Sequence, residues 1–340
     1  AMPLMPWRKP KLLKGAGSVN KLPELIKSLN IKSVLIVTDK GLMNLGLVNG
    51  LIESLTNEGI NFVVYDEVVP NPTISNIEKG AKIYLENHCE GLIAFGGGSP
   101  MDCAKGIGAR IARPKMPIPK MRGVLKINKK IPTLFAIPTT AGTGSETTLA
   151  AVITNDETHE KYPINDFNLI PNYAVLDPTL TEKLPKHITS TTGMDALTHA
   201  VEAFIGSANT KETKQMALDA VELIFNNLKK AYDDGSNLEA RENMQLASFK
   251  AGVAFTRAYV GYIHAVAHTL GGAYNVPHGL ANAVILPYVL ELFGEKAYKK
   301  LAILSDHVHL TNKNETDEVK AKAFIQAIKD LNEYMNIPTK

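Results

Sequence analysis

Four short runs of continuous apolar character punctuate the first half of the chain: V-L-I-V-T at Val34 to Thr38, N-F-V-V-Y at Asn61 to Tyr65, G-L-I-A-F at Gly91 to Phe95 and L-F-A-I-P at Leu134 to Pro138. Between them, apolar positions recur at helical spacing over Val19 to Leu29, Leu42 to Glu58, Ile74 to Asn87 and Asp102 to Ile111. Unalternating strands separated by helices predict a parallel sheet covered on both faces. Two further extended pieces, A-A-V-I-T and N-Y-A-V-L, lie between Leu149 and Asp177; they are expected to close the sheet and carry the chain across an interdomain cleft. From Thr179 the pattern turns almost wholly helical, with helices near His187 to Phe204, Lys211 to Asp233, Leu238 to Thr256, Gly261 to Tyr274, Gly279 to Leu292, Lys296 to Ser305 and Glu318 to Met335. The expected organisation is a Rossmann-like α/β domain over residues 1–178 and an all-helical domain over 179–340.

In parallel α/β sheets ligands bind beyond the carboxyl ends of the strands, so the residues that follow each run carry the most information. Two glycine clusters compete for a phosphate. Gly15-Ala16-Gly17 precedes a helix and lies about twenty residues before Asp39, as in a Rossmann fingerprint. Its third glycine position holds Asn20, however, and K-P-K-L-L-K before it makes a poor buried strand. Gly96-Gly97-Gly98-Ser99-Pro100 is the better match, because it follows the strongest strand and opens a helix, with Ser99 read as N-cap and Pro100 in the first turn. Backbone N–H groups and the positive helix end would meet a pyrophosphate there. Asp39, after the first strand, suits an adenosine ribose and disfavours a 2′-phosphate, and as a plain helix cap it would look the same. The segment P-T-T-A-G-T-G-S-E, Pro138 to Glu146, with Thr147 just after it, adds the hydroxyls of Thr139, Thr140, Thr143, Ser145 and Thr147.

The second half concentrates histidine. Tyr262 to Asn282, Y-I-H-A-V-A-H-T-L-G-G-A-Y-N-V-P-H-G-L-A-N, holds three of the nine histidines. His264 and His268 are four apart and share a helix face; Pro277 breaks the helix before His278. Upstream, Asp195 and His199 in G-M-D-A-L-T-H-A have the same offset. Both pairs sit among alanines, where an unpartnered imidazole or carboxylate carries a desolvation penalty. Imidazoles with one carboxylate suit a borderline divalent ion such as Zn or Fe rather than Ca or Mg. Spacing alone does not say whether His264 or His268 is the ligand. His307 and His309 lie in polar surroundings and read as a surface loop.

Composition narrows the class. The 340 residues are 45% hydrophobic and 21% charged, an ordinary globular balance, and the formal net charge of +3 leaves no electrostatic footprint for nucleic acid. The basic run from Arg113 to Lys130 reads as a solvated loop. Cys89 and Cys103 are the only cysteines, too few for a disulfide framework, and fit a reducing cytoplasm. The longest apolar run, Leu280 to Leu290, is too short for a bilayer and contains Pro287.

Taken together, G-G-G-S-P-M-D, P-T-T-A-G-T-G-S-E, G-M-D-A-L-T-H-A-V-E, H-A-V-A-H-T-L-G-G-A-Y-N-V-P-H-G-L-A-N-A and V-V-P-N-P-T at Val68 to Thr73 resemble the iron-containing (group III) alcohol dehydrogenase family almost end to end. The resemblance implies a dinucleotide-binding domain, an all-helical metal domain of dehydroquinate synthase-like architecture, and interconversion of a primary alcohol or small diol with its aldehyde. It makes Asp195, His199, His264 and His278 the metal ligands, with Asp195 and His264 thereby catalytic, and turns His268 toward nicotinamide and substrate. It assigns the cofactor to Asp39, Asn71, Gly97, Gly98, Ser99, Asp102, Thr139, Thr140, Thr143 and Lys161. The implied cofactors are Fe2+, with Zn2+ or another divalent ion able to use the same ligands, and NAD in preference to NADP. Relatives form dimers or larger assemblies, so a cytoplasmic homo-oligomer is expected, with no nucleic-acid or membrane partner. Family members continue with further helices after the position matching Ile337-Pro338, so a C-terminally short helical domain is expected. The competing readings are a glycerol or polyol dehydrogenase, a dehydroquinate-synthase-like lyase, and a truncated, non-catalytic metal-binding assembly protein. Neutral Phe255, Tyr259 and Tyr262 argue against a polyanionic substrate.

Overall fold

The computed structural model describes residues 7–258, 261, 263–265, 267 and 276–339. The chain forms two compact units: residues 1–139 with 145–180, and residues 140–144 with 181–340.

The first unit contains, in order, β1 (Lys11–Lys14), α1 (Leu22–Ser28), β2 (Ser33–Val37), α2 (Lys40–Asn44), α3 (Asn49–Asn57), β3 (Asn61–Tyr65), α4 (Ile74–Glu86), β4 (Gly91–Gly96), α5 (Gly98–Ala112), β5 (Gly123–Val124), β6 (Thr133–Pro138), β7 (Ala150–Thr154), β8 (Lys161–Asn165) and β9 (Tyr173–Leu176). Six strands form a parallel sheet in the order β1-β9-β6-β4-β2-β3. Its central strands are apolar throughout because both faces are covered. Leu35, Val37, Leu92, Ala94, Leu134 and Ala136 enter one core, while their neighbours Val34, Ile36, Ile93, Phe95, Phe135 and Ile137 enter the other. The alternation follows from the two-residue period of a strand.

Strand order reverses between β2 and β4, the place where open α/β sheets leave a crevice at their carboxyl ends. Asp39 follows β2 and the triple glycine follows β4.

Two local expectations are corrected and one is refined. K-L-L-K is, as expected, not a buried strand, but it is an edge strand: among the described residues β1 pairs with β9 only, and its side chains are mostly exposed. The single helix expected over Leu42 to Glu58 is two helices, α2 and α3, separated by Gly46 at φ +71°. The A-A-V-I-T run does not close the main sheet; β7 pairs antiparallel with β8, which with β5 makes a separate three-stranded sheet.

The second unit contains α6 (Lys186–Ile205), α7 (Lys211–Asp233), α8 (Leu238–Ala258), α9 (His278–Phe293), α10 (Glu295–His307) and α11 (Asp317–Tyr334). A core including Leu197, Val201, Val221, Ile224, Leu286, Leu290, Phe324 and Ile328 joins them. Thr210 and Thr213 close a capping box at the start of α7. Residues 140–144 are built into this helical unit. A Cβ on Gly142 would stand 2.5 Å from Thr192 Cβ, and one on Gly144 3.0 Å from Gly252 Cα, so glycine at both positions permits the segment's close approach to α6 and α8. His307 is not in a loop but ends α10, 3.3 Å from Glu222, whereas His309 follows the helix with φ +57°. Among the described residues no helix is long and apolar enough to cross a membrane.

Candidate functional site

Helix α6 puts Asp195, His199 and Glu202 at positions i, i+4 and i+7, hence on one face. All three are buried, in a helix whose other buried positions are mostly apolar, among them Met194, Leu197, Val201 and Phe204. Against this face lie His264 and, from the first turn of α9, His278 and Asn282. One ligand atom from each of Asp195, His199, His264 and His278 falls within 4.8 Å of the others. Asp195 Oδ1 is 3.8 Å from His264 Nε2 and 3.6 Å from His278 Nε2. A tetrahedron of about 2.1 Å metal–ligand bonds has edges of about 3.4 Å, so these separations are close to what an ion requires. The imidazoles of His199 and His264 stack with centroids 4.5 Å apart, and Phe255 packs 4.5 Å and 4.8 Å from the two rings. His278 is 36% exposed, unlike the other three.

The hydrogen bonding suits a cation. The buried Asn282 amide nitrogen, with two hydrogens to give, is 2.7 Å from Asp195 Oδ1, 3.0 Å from His278 Nε2 and 3.2 Å from His264 Nε2. Three lone pairs thus converge on two hydrogens. His199 Nδ1 and Asn282 Oδ1, both buried, have no hydrogen-bond partner among the described residues. Burial pushes the Asp195 carboxyl up, but His199, His278, His264 and the Asn282 amide together outweigh it and hold it below the usual carboxylate range. Burial pushes His199 down, toward the neutral form that can donate a lone pair to a metal. The donor set therefore fits a divalent ion of the borderline kind.

The nucleotide candidates gather in the first unit. Gly96 takes φ +145°, and a Cβ there would lie 2.7 Å from Pro100 and 2.9 Å from Leu42, so the strand end has room only for glycine. Helix α5 begins at Gly98 with Gly97 at its N-cap, not with Ser99 as expected. The Ser99 hydroxyl is engaged otherwise, accepting from the Asn71 backbone N–H at 3.2 Å. The Thr139 N–H donates to Gly96 O at 3.0 Å, joining the hydroxyl-rich segment to the glycine turn. Asp39 is the N-cap of α2, its Oδ1 accepting from Leu42 N at 2.9 Å, which leaves the second oxygen to face another donor. Thr140 and Thr143 are half-buried in the segment assigned to the helical unit. Lys161 stands exposed at the start of β8. His268, Tyr259 and Tyr262 lie outside the described residues.

Asp102 points inward to a buried charge network. Its carboxylate accepts from Ser145 Oγ and from Val152 N, both at 3.2 Å. Lys105, fully buried one turn later, sends its ammonium to Ser145 O, Thr148 O and Ala150 O at 2.7, 2.9 and 3.0 Å. Glu146 is buried in the same region, and burial, opposed by Lys105, pushes its carboxyl up to about 7. The folded protein therefore holds that proton where the unfolded chain, at its ordinary 4.5, has released it. The resulting stability is complete below about pH 4.5 and is lost as pH rises through about 7. Glu146→Gln should flatten the dependence of the denaturant midpoint on pH across that window, and an unchanged slope would contradict the assignment.

Residues 9–178 match the model of the iron-containing alcohol dehydrogenases, and residues 189–340 match the C-terminal model of the same family. The chain belongs to the iron-containing alcohol dehydrogenase family. It is 43% identical to a 1,3-propanediol dehydrogenase from Citrobacter freundii over 277 residues, 81% of this chain and 71% of that protein. Its structure is similar to that of a 1,3-propanediol oxidoreductase, with a TM-score of 0.95 and 38% identity over 98% of this chain and 88% of the other. A sulfoacetaldehyde reductase from Bifidobacterium kashiwanohense, solved in complex with NAD+, gives a TM-score of 0.89 and 30% identity, covering 99% of this chain and 87% of that one.

Glu202, Asn282 and Lys105 are also in place around the candidate site residues, although no motif marks them. Each had a usable signal. Glu202 continues the Asp195–His199 face at i+7, Asn282 follows His278 by four, and Lys105 follows Asp102 by three, so a cation and a carboxylate share one face of a largely apolar helix.

Proposed function

We propose that the chain interconverts a primary alcohol or small diol with its aldehyde, using NAD and a divalent ion held by Asp195, His199, His264 and His278, with Fe2+ the first choice and Zn2+, Mn2+, Co2+ or Ni2+ able to use the same donors. The observation that carries this reading is the buried group of one carboxylate and three imidazoles within 4.8 Å, in a chain of this family. The ion supplies Lewis acidity toward the substrate oxygen, lowering the cost of removing its proton, and nicotinamide supplies the hydride acceptor. The protein's part is to present three imidazoles, His199 held toward its neutral form by burial, and an ionised Asp195 in a buried setting, with His278 on the more open side. Phe255 gives the site an apolar wall, which favours an uncharged alcohol over a polyanionic sugar acid. His268, which the family pattern turns toward nicotinamide and substrate, is assigned to the path by which the alcohol proton leaves.

For the nucleotide, the Gly97-Gly98 turn and the N-terminus of α5 are assigned to the pyrophosphate, with Ser99, Asn71, Asp102, Thr139, Thr140, Thr143 and Lys161 around the rest. Asp39 is assigned to the adenosine ribose and makes NAD the preferred nucleotide. Asp39→Asn retains a good helix cap but removes the negative charge. Its ratio of kcat/KM for NADP over NAD should rise about tenfold, corresponding to about 1.4 kcal/mol, as measured by initial rates; an unchanged ratio would detach Asp39 from nucleotide choice.

The reaction itself is tested by anaerobic metal analysis of the purified chain, coupled to NADH absorbance on a chain-length series of alcohols and diols. Turnover that tracks metal content and peaks on short neutral alcohols supports the proposal. Saturation with metal and NAD but no turnover on any alcohol, aldehyde or polyol would leave a non-catalytic metal-binding protein instead.

A further inference from the structure

His264 is held at both ends of its ring. Nε2 faces the donor set, 3.8 Å from Asp195 Oδ1 and 3.2 Å from the Asn282 amide nitrogen. Nδ1 faces away from it and contacts Glu202 Oε2, on a carboxylate whose side chain is only 3% exposed. The other oxygen, Oε1, accepts from the Ile263 backbone N–H at 2.7 Å. Glu202 thus grips both the ring and the backbone beside it. The carboxylate also occupies the space a side chain would need at position 261: a Cβ on Gly261 would lie 2.3 Å from Oε1 and 2.5 Å from Cδ.

A neutral imidazole carries one proton, and the nitrogen that carries it cannot ligate a metal. We propose that Glu202 is a positioning residue that accepts a hydrogen bond from His264 Nδ1–H, fixes that tautomer and aims the Nε2 lone pair at the divalent ion. This deepens the metal-site reading above and rests on it. Glutamine is the informative replacement because its shape is the same and its hydrogen bonding is not. Both Glu202 oxygens can accept, one from the Ile263 backbone N–H and the other from the ring N–H, whereas a glutamine amide has one oxygen and one NH2. Either the NH2 meets Ile263 N–H head-on, or it turns to His264 Nδ1 and drives the ring proton onto Nε2. Both outcomes oppose metal binding.

The test is competition with a chromogenic chelator, using Co2+ or Zn2+ as the probe, together with the histidine nitrogen spectrum of the ion-free protein. Glu202→Gln should weaken ion binding by about 10- to 100-fold, the usual cost of losing such a partner, and move His264 toward the Nε2–H tautomer. In a His264→Ala background the same substitution should add nothing further to the loss of ion affinity. Wild-type ion affinity in Glu202→Gln with an unaltered His264 tautomer would overturn the proposal while leaving the metal site standing. Failure of the wild-type chain to bind either ion would overturn the metal-site reading itself, and this inference with it. If Glu202→Gln does not fold, Gly261→Ala is read in its place, since the added methyl displaces the carboxylate without removing it. Wild-type affinity in that variant would also overturn the proposal.

Discussion

His264→Ala should lose the bound divalent ion and alcohol-linked turnover in a single step. The side chain is buried, its Nε2 belongs to the four-residue donor set, and α6 with the start of α9 supplies the other three donors. Alanine leaves a carboxylate and two imidazoles and opens a gap beside Phe255. Lewis-acid stabilisation is on the order of several kcal/mol, and about 1.4 kcal/mol corresponds to tenfold in rate. The fall in kcat should therefore be about a thousandfold or more. Metal content by elemental analysis and NAD-linked turnover should decline together, with the ion-free melting temperature as the control for folding. Near-normal turnover in an ion-free variant would refute the mechanism.

Lys105→Met should strongly destabilise the first unit. The ammonium is fully buried and meets three carbonyls, from Ser145, Thr148 and Ala150, and two hydroxyls, Ser145 Oγ at 3.2 Å and Thr148 Oγ1 at 3.0 Å. Asp102 and Glu146 are its counter-charges, although burial lowers the ammonium's own pKa to about 8. Methionine fills much of the space but donates nothing, so buried acceptors lose their hydrogens and two acids lose their cation. Removing one partner of a buried charge group costs about 3–5 kcal/mol, against a typical total of about 5–15 kcal/mol. The denaturant midpoint should drop accordingly with the slope unchanged, and amide exchange from Ser145 to Ala150 should accelerate. A wild-type midpoint would mean that the network contributes nothing net. Because Lys105 ties the segment after Gly144 to the helix that opens at Gly98, the variant should also bind NAD more weakly.

The parts of this molecule that were legible in its sequence are those where one physical demand dominates. β4 reads as a strand because every one of its residues must be buried, and α7 reads correctly from Lys211 to Asp233 because its periodicity is unbroken and a threonine caps it. The Asp195–His199 offset is visible because a helix brings residues four apart onto one face. What escaped depends on partners distant in sequence. β1 looks too polar for a strand until β9 is beside it at an edge, and β8 becomes a strand through its pairing with β7. Gly46 breaks a helical pattern through its backbone conformation, which hydrophobicity does not encode. Lys105 shows its spacing from Asp102 in the sequence but not its burial, since its acceptors lie 40 to 45 residues downstream. The Asn282 amide makes sense only when Asp195, 87 residues earlier, stands opposite.

The five residues from Thr140 to Gly144 have a consequence for any attempt to dissect the protein. They come from the first half of the chain but belong to the helical unit, where Gly142 and Gly144 lie against α6 and α8. No single cut therefore yields two complete pieces. Severed after Leu180, the trailing fragment would keep His199, His264 and His278 but lack a short insert from its interior, and the leading fragment would display that insert with nothing to receive it. Recovery of native helical packing by the trailing fragment should require the missing peptide to be supplied separately.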